Sequence, residues 1–383
     1  MANTLTGLTQ YIYDSVDVVS RELCGMIPAV AKNSKADMVA KDQNISYSVA
    51  PAPTNYDVTP ANAIPALDDS TTAAGTMAIT KVRANKFHWT GEDETGVGAA
   101  GKAGIQEGKF AQAFRALANE IEADLAGLYK YASRAYGTAA TTPFATAGDF
   151  TDASEVVRIL KDNGAPLSNL QLVINTAAGA KILGKQSQVH MVGSGDPLRQ
   201  GVLLDIAGCK IRESGSIVAH TKGAGTGTLI NNASGEAIGQ TTLTYDTLTV
   251  NTTGIKAGDI ITTAADTVNK YVVTTGTTAT SGDIVIGAPG LLVAAPDNNA
   301  ITIGNSYAAN MAFAQSAIHL VTRLPKMPEG GDQADDIMIV QDPVSGLYFQ
   351  VAMYRAYRSV LIEVAIAWGV KAAKPEHIAL LLG

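Results

Sequence analysis

The first hydrophobic pattern along the chain is helical. Between Leu8 and Ala31 the apolar residues recur at intervals of four, three, four and four positions, which places them on one side of an α-helix. Pro28 ends the run, since a helix interior does not tolerate proline. The pattern therefore predicts an amphipathic N-terminal helix. Its apolar residues are Ile12, Val16, Val19, Leu23 and Ile27.

Strand-like runs follow, separated by a stretch without periodicity. Apolar and polar residues alternate in these runs, which is typical of strands with one buried face. Prolines interrupt the residues between them, and loops of such length are usually functional or disordered. We predict an extended hairpin arm that buries its apolar side on a neighbouring subunit. The residues assigned to this contact are Ile45, Tyr47, Val49, Met77, Ile79, Phe87 and Trp89.

The most regular helical pattern spans residues 104–136 and predicts a spine helix. At a rise of 1.5 Å per residue it is roughly 45 to 50 Å long, more than twice the average. Glu120, Glu122 and Asp124 bunch on this helix, and we expect them to lie on a solvated face. The apolar side is expected to pack on strands near the C-terminus. The residues assigned to this core are Phe110, Phe114, Leu117, Ile121 and Trp368.

From residue 150 helical and strand patterns alternate, as in an α/β domain. The segment Leu170–Ile174 reads as a buried strand. The composition then changes: the 84 residues from Thr221 to Gly304 contain 19 Thr, no Arg and only two aromatic residues. Short β-branched runs separated by turn residues predict a small all-β module there, inserted between α/β segments. Strand patterns return in residues 336–382.

Composition and charge narrow the class of protein. Of the 383 residues 46% are hydrophobic and only 16% are charged, against about 25% charged in average globular chains. Such a chain is not intrinsically disordered, because it is not poor in apolar residues. The net charge of -7 argues against binding to nucleic-acid phosphates as the main activity. We interpret the shortage of charge as a sign that much of the surface is buried against other subunits.

Candidate chemistry is sparse. The glycine-rich stretch Gly96–Ala103 approaches a phosphate-binding loop, but Ala103 stands where a hydroxyl must bind magnesium, so a flexible hinge is the better interpretation. The five histidines are isolated in sequence, and Cys24 and Cys209 lie far apart. No run of about 18 apolar residues predicts a membrane span. The sequence therefore predicts no catalytic residue, no cofactor and no metal site.

Three stretches resemble the major capsid (coat) proteins of tailed double-stranded DNA bacteriophages. They are Val19–Pro28, Leu248–Ile261 and Ile366–Ile378, of which the last is the most specific. The order of elements is similar over nearly the whole chain, and the closest resemblance is to short-tailed phage coat proteins with an inserted β-barrel. The resemblance implies an α+β, Hong Kong 97-type capsid fold, with an N-terminal arm, an extended hairpin loop, a spine helix with a peripheral β-sheet, and an α/β axial domain.

The resemblance also implies domain boundaries. They are residues 1–40 for the N-terminal arm helix, 41–95 for the hairpin loop, 96–137 for the spine helix, 138–221 and 305–335 for the axial domain, 222–304 for the inserted β-barrel, and 336–383 for the C-terminal strands of the axial and peripheral domains.

The implied function is structural. Hexamers and pentamers of the chain would form an icosahedral shell around double-stranded DNA, with a scaffolding protein and a portal protein as partners and no membrane. The shell would assemble in the cytoplasm of the host bacterium and become the virion capsid. The alternatives are an encapsulin-like nanocompartment shell, a phage tail or adhesin-type protein, and, with least support, a nucleotide hydrolase.

Overall fold

The computed structural model describes residues 24–49, 58, 60, 73–146, 149–186, 205–249, 253–332, 334–342 and 345–383. Most of the predicted N-terminal helix lies outside these residues. The prediction is wrong for the last part of this helix. Residues 24–30 form turns, and β1 (Ala31–Val39) is a strand. The reason is tertiary, because β1 pairs in parallel with β16 (Ile318–Pro325), a partner nearly 300 positions away in the sequence.

The predicted hairpin is confirmed for its first two strands. In it β2 (Asn44–Val49) pairs antiparallel with β3 (Ala73–Ala78). The following strand, β4 (Lys81–Thr90), does not continue the arm. It pairs along its whole length with β19 (Ser359–Ala372), so Phe87 and Trp89 belong to the central sheet.

Helix α1 (Gly91–Ala126) is the spine, and it is shifted from its predicted position. It begins at a capping box, in which the Thr90 hydroxyl accepts a hydrogen bond from the Asp93 amide and the Asp93 carboxylate accepts one from the Thr90 amide. The predicted hinge at residues 96–103 is therefore helical backbone. The helix ends before its predicted boundary, and Gly127–Tyr131 continue as a 3₁₀ turn into β5 (Arg134–Tyr136).

The central sheet has the strand order β1-β16-β19-β18-β17. The sixth strand, β4, is outside this order and also pairs with β19. Its remaining strands are β17 (Ala334–Gln341) and β18 (Tyr348–Ala356). Helix α1 packs against one face, which we call the inner face, and this contact forms the largest hydrophobic core. Successive side chains of a strand point to opposite sides of the sheet. Every second residue of these strands therefore belongs to the opposite face, which we call the outer face.

A second sheet carries the α/β part of the chain. It joins β6 (Leu170–Ile174), β15 (Tyr307–Ala314), β20 (Ile378–Leu382) and β7 (Cys209–Glu213), and the predicted buried strand is confirmed as β6. Two helices follow the predicted pattern: α2 (Thr151–Asp162) and α3 (Thr176–Gln186). A separate hydrophobic core lies between these helices and the sheet.

The Thr-rich segment forms short strands around its own core. The strands are β9 (Leu229–Ile230), β10 (Thr242–Asp246), β11 (Ile260–Thr263), β12 (Asp266–Thr275), β13 (Gly282–Ile286) and β14 (Ile301–Ile303). The short strand β8 (Ala219–His220) precedes the segment and pairs with β15 (Tyr307–Ala314). All residues of this core lie between positions 230 and 303. The two ends of the segment lie together, since the Lys222 amide donates to the Ser306 hydroxyl at 3.1 Å. The segment is also continuous with the second sheet, because β12 pairs with β5.

Candidate assembly surfaces

The outer face of the central sheet exposes apolar side chains in register. Strand pairing places Ile337 beside Ala352, Ala352 beside Glu363, and Glu363 beside Lys86. Ile339 occupies the adjacent row and is 43% exposed, while Ile337 and Val82 are each 37% exposed. This row runs from apolar to charged side chains across a face that α1 does not cover, and Gln350, Ala352 and Ala365 on the same face are buried within the chain. The exposed apolar side chains lie on the edge strands β17 and β4.

The residues predicted for the arm contact are placed differently. Met77 and Ile79 are buried within their own chain, in a small core with Val39, Val321 and Ala367. The prediction that they contact a neighbour is wrong, because the arm folds back on the outer face near β16 and finds a core there. The side chain of Val49 lies outside the described residues.

Phe87 and Trp89 also pack within the chain, on the inner face. The Phe87 ring meets the Phe110 ring edge-on at 5.1 Å between centroids. The Lys109 ammonium lies 4.6 Å from the centre of the Trp89 ring, a cation–π contact. Trp89 is buried within its own chain, so the predicted contact with a neighbour is wrong for this residue. Phe87 is only partly buried, and its predicted contact stays a prediction.

Ile45 and Tyr47 are half-buried, and they form the link between the arm and the sheet. The Tyr47 ring stacks on His319 at 5.1 Å, and the Lys371 ammonium lies 5.7 Å from the same ring. Burial lowers the pKa of His319 from its ordinary value, which favours the neutral imidazole. The stack therefore joins a neutral ring and a cation to the base of the arm.

The spine core brings the predicted residues together. Phe110, Phe114, Leu117 and Ile121 all point into the main core, where Phe114 meets Phe349 of β18 edge-on at 5.0 Å. Trp368 is fully buried in that core, and its indole N–H donates to Asp124 Oδ2 at 2.9 Å. The other Asp124 oxygen accepts from Lys81 at 2.8 Å.

The pKa of Lys81 reflects two opposing effects. Burial works against its charge, but hydrogen bonds to Asp124 and Glu120 outweigh burial and raise the pKa above its ordinary value. Lys81 therefore stays charged beside these two carboxylates of α1. Glu120 and Asp124 are partly exposed, which agrees with the expected solvated face.

Glu122 contradicts that expectation. It is only 1% exposed, and it accepts hydrogen bonds from the backbone amides of Met26 and Ile27 and from the Ser214 hydroxyl. Burial raises the pKa of Glu122, while these hydrogen bonds work in the opposite direction. The helical position of Glu122 relative to Glu120 indicated only that they lie on different sides. It could not show that the other side meets the N-terminal backbone.

A second buried polar cluster lies at the root of the inserted segment. His220 Nε2 is 2.8 Å from Asp259 Oδ1, and Nδ1 is 2.8 Å from the Tyr129 hydroxyl. Since a carboxylate only accepts, Nε2 donates to Asp259, and the Tyr129 hydroxyl is the hydrogen-bond partner of Nδ1. Asp259 also accepts from the Gly223 and Lys256 amides. Both ring nitrogens are occupied by buried partners, so the arrangement joins three parts of the chain and presents no free base.

Two kinds of feature are absent from the part of the chain that the structure describes. No group of three or more His, Cys, Asp or Glu residues could hold a metal ion there. Within the same ranges, no helix has the length and apolar character needed to cross a membrane.

Comparisons with known proteins gave distant structural likenesses only. No family model matches the sequence. No curated protein matches it either. A solved structure of the capsid of cyanophage P-SCSP1u has a TM-score of 0.48 at 10% identity, covering 91% of this chain and 86% of that chain.

Two further solved structures are similar over comparable lengths. One, from Mycobacterium phage Che8, has a TM-score of 0.44 at 14% identity, covering 90% of this chain and 85% of that chain. The other, a virus-like particle from Pyrococcus furiosus, has a TM-score of 0.42 at 8% identity, covering 98% and 99%. With TM-scores below 0.5, these likenesses by themselves establish neither the fold nor the function of the chain.

Proposed function

We propose that the chain is the major capsid protein of a tailed double-stranded DNA bacteriophage, with a Hong Kong 97-type fold. In this proposal it is a structural protein without catalytic, cofactor or metal sites. Hexamers and pentamers of it form an icosahedral shell around the genome, with a scaffolding protein and a portal protein as partners. Assembly takes place in the host cytoplasm, and the final location is the virion capsid.

The observation that carries the proposal is the one-sided central sheet. Its inner face is sealed by α1, while its outer face leaves Val82, Ile337 and Ile339 exposed in one chain. A neighbouring subunit that contacts these side chains would bury them, and closed rings of five or six subunits are built from head-to-tail contacts. We propose the outer face as the subunit contact, in place of Met77, Ile79 and Trp89.

The length of α1 supports the same proposal. Its 36 residues extend over about 54 Å, and its described side chains before Gln106 are exposed, including Ile105. The side chains described in the first turn, those of Glu92, Asp93 and Thr95, are therefore open to solvent in the single chain. In the proposal this exposed turn contacts a neighbouring subunit.

Electron microscopy of the purified full-length chain tests the proposal. We expect closed icosahedral particles when the chain is expressed in bacteria with its scaffolding partner, and a large sedimentation coefficient for the same fraction. A chain that stays monomeric at every concentration, with and without that partner, contradicts the proposal.

The same experiment separates the alternatives. Closed particles that contain a cargo enzyme favour an encapsulin-like compartment, while DNA or scaffolding protein inside them favours the capsid. Open tubes or fibres favour a tail or adhesin-type protein. Binding of ATP to the unassembled chain would favour the nucleotide hydrolase, and we expect no such binding.

A further inference from the structure

Glu122 lies where three parts of the chain meet. Its Oε1 accepts from the Met26 amide at 2.6 Å and from the Ser214 hydroxyl at 2.7 Å, and its Oε2 accepts from the Ile27 amide at 3.0 Å. The donors come from the entry segment, which we define as residues 24–30, and from the turn after β7. The carboxylate itself is held by α1.

The entry segment is confined on its other side as well. A side chain at Gly25 would bring its first carbon within 2.3 Å of the Glu213 carbonyl oxygen, so only glycine lets the backbone approach β7 this closely. The Gln315 amide reaches the Val30 carbonyl at 3.5 Å, and β1 then begins its pairing with β16. The backbone thus passes between α1 and the end of β7 before it joins the central sheet.

We propose that Glu122 is a positioning residue that fixes the point at which the N-terminal part of the chain joins the body. Consecutive backbone N–H groups form a site that suits an anion, and here the anion is a side chain of α1. The donors are backbone amides, so these hydrogen bonds to α1 do not depend on the side chains of residues 26 and 27. Glu122 sets the position of the entry segment relative to both sheets.

The chemistry of this site requires a carboxylate. Both oxygens accept, and a carboxylate has no proton that would oppose an N–H donor. A glutamine of the same shape keeps one acceptor but turns an amide N–H₂ toward a backbone N–H. The apolar side chains of Met26 and Ile27 also bury the segment, so a test must separate the local tether from general packing.

Hydrogen exchange of backbone amides in the unassembled full-length chain provides that test. In Glu122→Gln we expect the Met26 and Ile27 amides to exchange at least tenfold faster, while amides of β6 and β20 keep their rates. In Ser214→Ala, which removes one donor and leaves the carboxylate in place, we expect a smaller increase at the same two amides. Glu120→Gln is the matched control, because Glu120 lies on the same helix but bonds to Lys81 and Arg83 at the surface.

Two outcomes would overturn the inference. One is unchanged exchange at Met26 and Ile27 in Glu122→Gln. The other is an equal increase at every slowly exchanging amide, which would indicate lost stability without a local tether. If Glu122→Gln does not fold, the Ser214→Ala variant decides. A faster amide exchange confined to the entry segment supports the tether, and an unchanged exchange rate there refutes it. Particle formation is not used as a readout, so failure of the proposed capsid function leaves this result unaffected.

Discussion

Trp368 connects helix and sheet through one side chain. It is fully buried in the main core, and its indole N–H donates to Asp124 of α1. Replacing a large buried aromatic residue by alanine removes its contacts and leaves a cavity, so we expect Trp368→Ala to lower the free energy of unfolding by about 3 to 5 kcal/mol. Urea unfolding followed by circular dichroism measures this loss.

Trp368→Phe is the control for that measurement. It keeps part of the buried aromatic volume while it removes the hydrogen bond to Asp124 and the rest of the indole, so its loss is expected to be smaller than that of the alanine variant. A loss of unfolding free energy well under about 1 kcal/mol for Trp368→Ala would show that this side chain is not needed for the stability of the core.

Cys209 provides a prediction about pH. Burial raises the pKa of its thiol to about 12, so almost no thiolate exists in the folded protein near neutral pH. In a Cys24→Ser variant we expect iodoacetamide to modify Cys209 far more slowly in the folded protein than in urea-unfolded protein at the same pH, because the folded thiol is buried and stays neutral. A rate in the folded protein at pH 8 equal to that of the unfolded chain would contradict the buried thiol.

The linked effect on stability has a definite sign. Because the folded pKa of Cys209 is raised above its ordinary value of 9.0, the folded state holds this proton more tightly than the unfolded state does. Above pH 9 the unfolded thiol ionises while the folded thiol stays neutral, which favours the unfolded state. The stability present below pH 9 is therefore lost progressively as the pH approaches about 12.

The predictable residues differ from the others in a physical way. Phe110, Phe114 and Leu117 were found because helical spacing reports which residues share a face. Glu122 and His220 were not found. Their nearest hydrogen-bond partners lie 92 and 39 positions away in the sequence, respectively. The sequence shows a carboxylate at Glu122 and an imidazole at His220, but no neighbouring residue in the sequence indicates that these side chains are buried.

At the scale of elements, the Thr-rich segment is the most independent part. Its hydrophobic core uses residues from Ile230 to Ile301 and no residue from the rest of the chain. We expect a fragment of residues 222–304 to fold alone, with dispersed amide signals in an NMR spectrum. A random-coil spectrum would show that pairing of β12 with β5 is needed for folding.

Element boundaries depended on signals of different range. The start of α1 was predicted too late, although Thr90 and Asp93 form the local pattern of a capping box. The strand β1 had no such local signal. Its register is set by β16, and the apolar spacing that predicted a helix up to Ala31 stops where that pairing begins.

At the scale of the whole molecule, the low charge fraction has two visible causes. The inserted segment covers itself with hydroxyl-bearing strands, since Thr242, Thr244 and Thr262 are half-exposed along them. The outer face of the central sheet leaves aliphatic side chains in solvent. The order of elements could be predicted from the sequence, but which face stays open depends on how distant strands pair.

The last prediction concerns that open face. Ile339→Glu places a charge on the edge strand β17, near Ile337 in the proposed contact, and a buried unpaired charge opposes association, so we expect loss of particles with the monomer fold retained. Val268→Glu makes the same chemical change at an exposed position of the inserted segment, and we expect it to assemble. Sedimentation of both variants beside the wild-type chain gives the answer. Normal particles from Ile339→Glu would exclude the outer face as the subunit contact, because a glutamate in a closed apolar contact has no partner there.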